Sequence, residues 1–304
     1  MVQKRGLAKI ISILSPVDKI IITYAFVTAL WIIVFSARIE HVGSLFLARA
    51  GIIGFIVLVA SWHHYRPSTV SDVVHHIYAL LLLSYWYGET YALNQVLFTP
   101  FDDWFKNADQ WIFGCQPSLE FSARFPQPWV SELLNFGYFS YFFMNLTTFL
   151  VVYIKKREEA MKAVFLVITS FFLYYLIFIL FPVVGPQFWL PESLRSVPEG
   201  YLFQKGVLLI QWMGEVPTGA FPSSHVGLTI IFLLITRKYS KRVFNYMLPV
   251  AIILMMATVY IKAHYAVDVF AGMITSLFIF SLAKKIYAIP FFQEKNFPVL
   301  KKMN

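Results

Sequence analysis

Two short polar stretches at the edges of apolar runs carry residues able to do chemistry: GAFPSSH at 219–225 and YIKAHYAVD at 260–268. In the first, Pro222 suits the opening turn of a helix, where its missing N–H costs nothing. Ser223, Ser224 and His225 then offer backbone N–H groups at a helix N-terminus, where donors and the helix dipole favour an anion. An imidazole placed there can protonate a departing oxygen. In the second stretch His264 and Asp268 stand at i, i+4 and could share one helical face if the last helix starts a residue or two before 266. A carboxylate accepting from Nδ1 fixes the tautomer and leaves Nε2 free as a nucleophile or base. Lys262, two residues earlier, is a candidate partner for phosphate oxygens. The competing readings are a headgroup-contacting histidine and a structural His–Asp hydrogen bond. Two such features at one membrane level weigh toward function, because ionisable groups in a membrane are costly. Zinc is a weaker reading: two His and one Asp could ligate it, but neither an HExxH spacing nor a Cys pair is present.

The elements that must position these residues are hydrophobic. Of the 304 residues 59% are hydrophobic and only 13% charged, against about a quarter charged in soluble proteins. Repeated apolar stretches of about 20 residues override the two-domain soluble reading that length alone allows. The chain therefore reads as an all-α polytopic membrane protein of about eight transmembrane helices. The spans fall near 19–37, 44–62, 73–93, 131–153, 162–182, 222–237, 246–263 and 266–284. Residues 94–130 are too polar to span yet rich in Trp, Phe and Pro, which reads as an interfacial loop with short helices in the headgroup layer. Residues 183–220 read as a second long loop, with prolines at 186, 191, 198 and 217. The organisation expected is a two-helix membrane extension over 1–70, a catalytic membrane domain over 71–290 and a basic tail over 291–304.

The net charge of +9 is not a nucleic-acid footprint, since Lys and Arg sit in short clusters between apolar runs rather than along a polar helix. With the N-terminus inside, 18 of the 25 Lys and Arg fall in inside segments, 6 outside, and Arg49 lies within the second span. That bias puts both termini in the cytoplasm and both long loops on the periplasmic or lumenal side. The break FPVVGPQ at 181–187, His225 and His264 then meet at one membrane level. One cysteine, Cys115, excludes an intramolecular disulfide. Among intramembrane polar residues, Arg49 and Glu89 are expected to play a structural role, either pairing with each other or snorkelling to the interface. His63, His64, His75 and His76 read as headgroup-facing residues at the inner interface. Asp109 and Glu132 could contact a polar headgroup, and Tyr138 and Tyr141 read equally well as an aromatic belt.

GAFPSSH and ATVYIKAHYAVDVFAG resemble the second and third signature motifs of the type 2 phosphatidic acid phosphatase superfamily, over about residues 80–285. Within it the chain most resembles the branch that includes fungal inositol phosphorylceramide synthase. The resemblance implies a six-helix catalytic core and metal-independent chemistry with no cofactor. It implies His264 as the nucleophile that forms a phosphohistidine, Asp268 as its orienter and His225 as the acid for the leaving alcohol. The chain departs from the family pattern at three points. Ser224 stands where Gly is usual, Ala257-Thr258 replaces a phosphate-clamping Ser-Arg pair, and Gln187 stands where Arg is common. Lys262 is the first candidate to offset the phosphate charge, with Arg195 and Lys205 behind it. Fewer guanidinium clamps fit a singly charged phosphodiester better than a dianionic monoester.

The function expected is a lipid phosphotransferase in sphingolipid-type metabolism. It would move a phosphorylated headgroup, inositol phosphate by resemblance, from a phospholipid donor to a lipid alcohol such as ceramide or diacylglycerol. Its place would be a bacterial inner membrane or a Golgi-like membrane. The alternatives are a lipid phosphate or undecaprenyl-pyrophosphate phosphatase using water, and a catalytically silent lipid-binding protein.

Overall fold

The computed structural model describes residues 10–293; the cations expected at positions 4, 5, 9, 295, 301 and 302, and most of the basic tail, lie outside these. Eight long helices form a bundle: α1 (Pro16–Val34), α2 (Val42–Tyr65), α3 (Thr69–Asn94), α6 (Pro128–Lys155), α7 (Ala160–Leu180), α9 (Ser224–Tyr239), α10 (Lys241–Tyr260) and α11 (Ala266–Tyr287). Three shorter helices, α4 (Asp102–Phe113), α5 (Pro117–Arg124) and α8 (Leu202–Gly214), lie in the long loops. Each expected span is present, with ends moved by a few residues to the local caps. Ser15 and Asp18 form a capping box with Pro16 in the first turn of α1, Ser68 and Ser71 do the same for α3, and Ser240 caps α10.

Six of the long helices are long and apolar enough to cross a membrane, so the chain is a polytopic integral membrane protein. α3 and α9 run between the same two ends of the bundle. The N-terminus of α3 meets Arg157 through Asp72, and Asn94 at its other end donates to the Thr218 hydroxyl. α9 begins against Asp268 and ends where Lys238 meets Glu159. The most buried helix is α7, which packs on α1, α3, α6, α9 and α11. A second buried helix, α9, sits among α6, α7, α10 and α11. α2 covers α1 and α3 and leaves most of its surface to lipid.

One end of the bundle gathers all the segments of interest. Phe101 N donates to Pro182 O, Ala220 N to Val183 O, and Gln187 N to Lys262 O. The loops at 95–127, 181–223 and 261–265 are thereby knitted into one cap. α8 is the element the sequence reading lacked: the prolines at 191, 198 and 217 marked a loop, but none falls inside 202–214. It lays one face on α6, with Val207 buried, and exposes Leu208, Leu209 and Trp212. Trp104 and Trp111 on α4 are exposed in the same manner, as interfacial helices require.

Several intramembrane polar residues are settled by the packing. Arg49 donates to both carboxylate oxygens of Glu89, at 2.8 and 2.7 Å, and to the Thr28 hydroxyl and the Ala25 carbonyl. Of the two readings, pairing holds and snorkelling does not: the pair is buried and bidentate. Of the four inner histidines only His64 faces outward, and the headgroup-facing reading fails for the other three. His63, His75 and His76 are buried; His75 bonds Asp18 at 2.9 Å, and His76 lies against Asp72.

Candidate active site

His264 sits in the loop between α10 and α11, 3% exposed. The loop is held from several sides. His264 N donates to Thr258 O at 3.0 Å and Lys262 N to Val259 O at 3.0 Å. Tyr265 N donates to Asp268 Oδ2 at 2.9 Å, and the Tyr265 hydroxyl donates to Asp102 Oδ1 at 3.0 Å. Lys262 takes a left-handed φ of 65°, rare for a residue with a Cβ, and this turns the chain between the two helices.

Asp102 and Asp109, both from α4, brace this region. Asp102 accepts from Val184 N and Gly185 N at 2.9 and 2.8 Å. Asp109 accepts from Ala266 N and Val267 N at 2.9 and 3.0 Å, capping the first turn of α11. Burial pushes both carboxyls above their usual pKa, against the pull of those amides. Asp109 therefore holds the helix behind His264 rather than a headgroup. Glu132 is likewise corrected: its carboxylate accepts from the amides of Tyr201, Leu202, Phe203 and Gln204 and caps α8. Short-range sequence signals show neither role, because donor and acceptor are 65 or more residues apart.

Ser223 caps α9, its hydroxyl accepting from Val226 N at 3.3 Å. Pro222 sits one residue outside the cap and not in the first turn, a correction to the expected register. The Ser223 N–H is spent on Asp268 O at 3.1 Å, while Ser224 and His225 head the helix. Ser223 and Ser224 are both buried. The His225 ring lies between Tyr138 and Tyr141, at centroid distances of 4.8 and 4.6 Å. These two tyrosines form the walls of the histidine site instead of a lipid-facing belt.

The two histidines meet. His264 Nε2 and His225 Nδ1 are 3.4 Å apart. His264 Nδ1 is 2.7 Å from the Ala220 carbonyl, and a carbonyl can only accept, so Nδ1 carries the proton and Nε2 presents its lone pair to His225. Burial depresses the His264 pKa to about 4, with the Ala220 hydrogen bond and the Glu215 charge opposing, so the ring is a neutral nucleophile at pH 7. The tautomer is set differently from expectation: Asp268 Oδ2 stands 3.7 Å from Nδ1, beyond a hydrogen bond. Asp268 instead fixes the backbone at Tyr265 and Ser223, and its Oδ1 is buried without a partner. The Ala220 carbonyl was invisible to motif reasoning, since main-chain groups carry no side-chain signature.

The expected phosphate-binding side chains are differently employed. The Lys262 ammonium donates to Leu194 O at 2.9 Å and to Ser196 O, and burial lowers its pKa. Arg195 donates to Leu190 O and Phe188 O at 2.6 and 2.7 Å, tying its own loop. Lys205 is exposed on α8. Among the described residues no cationic side chain bonds to either histidine. Gln187 does join the site, donating to Glu215 Oε2 at 2.8 Å and accepting from Gln211 Nε2 at 3.0 Å. Glu215, which the sequence reading passed over, also accepts from the Tyr138 hydroxyl at 2.8 Å. No group of three His, Cys, Asp or Glu able to hold a metal ion occurs among the described residues.

Comparison with known proteins gives one match: a family model described as the PAP2 superfamily covers residues 105–282, which include both histidine stretches and all of α6 to α10. No curated protein and no solved structure matches the chain.

Proposed function

The chain belongs to the PAP2 superfamily of membrane phosphatases and phosphotransferases, and from that premise we propose that it moves a phosphorylated headgroup from a phospholipid to a lipid alcohol through a phosphohistidine on His264. The observation that carries the reading is the tautomer: Nδ1–H is spent on Ala220, which leaves the Nε2 lone pair opposite His225. In the first step Nε2 attacks phosphorus, the bond from phosphorus to the leaving alkoxide breaks, and His225 delivers its proton to that oxygen. In the second step His225 takes the proton of the acceptor hydroxyl, whose oxygen attacks phosphorus and breaks the P–N bond. The carboxylate of Asp268, 3.7 Å from Nδ1, stabilises the positive charge that the ring acquires in the intermediate. An in-line displacement needs phosphorus between the two rings, so the 3.4 Å contact describes a resting pair that substrate must part.

The transferase reading is favoured over hydrolysis by charge. Lys262 and Arg195 are committed to main-chain carbonyls, and Gln187 is uncharged, an arrangement better matched to a phosphodiester than to a dianion. Inositol phosphate and ceramide remain the donor group and acceptor that the sequence resemblance implies. The excess of Lys and Arg in inside segments supports a periplasmic or lumenal site. α1 and α2 are assigned to an N-terminal membrane extension, although α3 lies outside the matched region as well.

The test uses purified protein in detergent with labelled phosphatidylinositol or phosphatidic acid, with and without ceramide or diacylglycerol, and His264→Ala alongside. A new phospholipid that requires the acceptor and disappears in His264→Ala is expected. Free phosphate released at a rate indifferent to acceptor would make the protein a phosphatase and refute the transfer.

A further inference from the structure

Glu215 lies at the junction of the supports of both histidines. Its Oε1 accepts from Tyr138, whose ring lies 4.8 Å from that of His225. Its Oε2 accepts from Gln187, whose amide N donates at 2.8 Å to the carbonyl of Lys262, two residues before His264. The carboxylate is thus fixed by two side-chain hydrogen bonds inside the site, and its charge reaches His264. The titratable groups that face it are His264 from the 261–265 loop, Tyr138 from α6 and Tyr87 from α3. The Tyr87 hydroxyl donates to Val216 O and Thr218 O. None of these is a lysine or arginine.

Resting on the phosphotransfer reading above, we infer that Glu215 is the specificity-determining residue that makes the site prefer a singly charged phosphodiester to a doubly charged phosphomonoester. A phosphomonoester carries its second negative charge above a pKa of about 6, whereas a diester keeps a single charge at all working pH. A second charge placed near a buried carboxylate with no cation to offset it is penalised in proportion to that carboxylate's ionisation. Burial raises the Glu215 pKa, and both its charge and the monoester's second charge increase as pH rises. Discrimination therefore grows with pH. At the separations of one active site and an effective dielectric of about 20, the removed charge is worth on the order of tenfold in relative kcat/KM.

The experiment compares purified wild type, Glu215→Gln and Glu215→Asp on phosphatidic acid and phosphatidylinositol that share the same acyl chains, from pH 6 to pH 9. Glu215→Gln removes the charge while keeping an acceptor of similar size; Glu215→Asp keeps the charge and shortens the reach. The expected result is a rise of on the order of tenfold in the monoester-to-diester ratio of kcat/KM for Glu215→Gln at pH 8, shrinking toward pH 6. Glu215→Asp loses activity on both substrates but holds the wild-type ratio. A wild type that prefers the diester, with both variants lowering the two substrates equally at every pH, would reduce Glu215 to a structural role and overturn the inference alone. A wild type that consumes the monoester faster throughout would overturn the phosphodiester reading itself, and the inference with it.

Discussion

A methyl group added at Gly272 tests whether the spacing of α9 and α11 sets the catalytic geometry. A Cβ there would stand 2.5 Å from the Ser223 carbonyl oxygen and 3.2 Å from the Cβ atoms of Ser223 and Val226. The nearest obstacle is main chain at the cap of α9, so no rotamer change relieves it. The separation must open by about 0.9 Å to reach the 3.4 Å of ordinary contact. Ser223 also donates its N–H to Asp268 O at 3.1 Å, so the same displacement stretches that bond and carries His225, two residues on, away from His264. Overpacking of this kind costs about 1–3 kcal/mol, offset by about 1 kcal/mol from replacing Gly in a helix. The stability loss is therefore modest, a Tm lower by a few degrees. Catalysis should suffer more, since a displacement near 1 Å costs about 100-fold in rate. Turnover of the labelled donor and Tm in detergent would be measured for Gly272→Ala beside Gly54→Ala, whose Cβ meets nothing within 4 Å and which should match wild type in turnover and melt slightly higher, by the helix gain of about 1 kcal/mol. Near-normal turnover in a well-folded Gly272→Ala would show that the α9–α11 contact does not govern the histidine pair.

Two further predictions come from charge. The His264 pKa is depressed to about 4, below the 6.5 expected when unfolded, so the unfolded chain binds the extra proton first. The stability this histidine contributes is complete above pH 6.5 and is lost as pH falls toward 4, by at most about 3 kcal/mol. Thermal melting of wild type and His264→Ala across pH 4–7 should show the gap between them changing with that sign. The mechanism needs His264 neutral and His225 protonated, so a bell-shaped rate profile is expected; a monotonic profile with chemistry rate-limiting would oppose the assigned roles. In the bundle interior, Arg49→Met strands Glu89 and should cost about 3–5 kcal/mol, while Arg49→Met with Glu89→Leu should recover most of it. Equal losses in the single and double variants, read from unfolding in detergent, would show that the pair is not the stabilising unit.

The eight long helices and the shared level of His225 and His264 were legible in the sequence, and the pairing of Arg49 with Glu89 was one of two readings it left open. Hydrophobic length, the Lys and Arg distribution and the expense of an unpaired charge in lipid are properties of local composition, which marks the long apolar helices. What the sequence could not supply depends on partners distant along the chain. The tautomer of His264 is set by a main-chain carbonyl 44 positions away at Ala220. The loop bearing that histidine is braced by Asp102 and Asp109 from α4, and Glu132 is held by four amide donors at the start of α8, about 70 positions along the chain. Glu215 lay unmarked at the end of a helix that proline spacing had disguised as loop. Lys262, well placed by sequence proximity to hold a phosphate, has its ammonium drawn onto two carbonyls, which its left-handed backbone and burial impose. Composition determined which segments form long apolar helices, and only the packing of α4, α8 and the two cap loops decided which polar atoms face each other at their ends, because hydrogen bonds are directional and short and a burial pattern is neither.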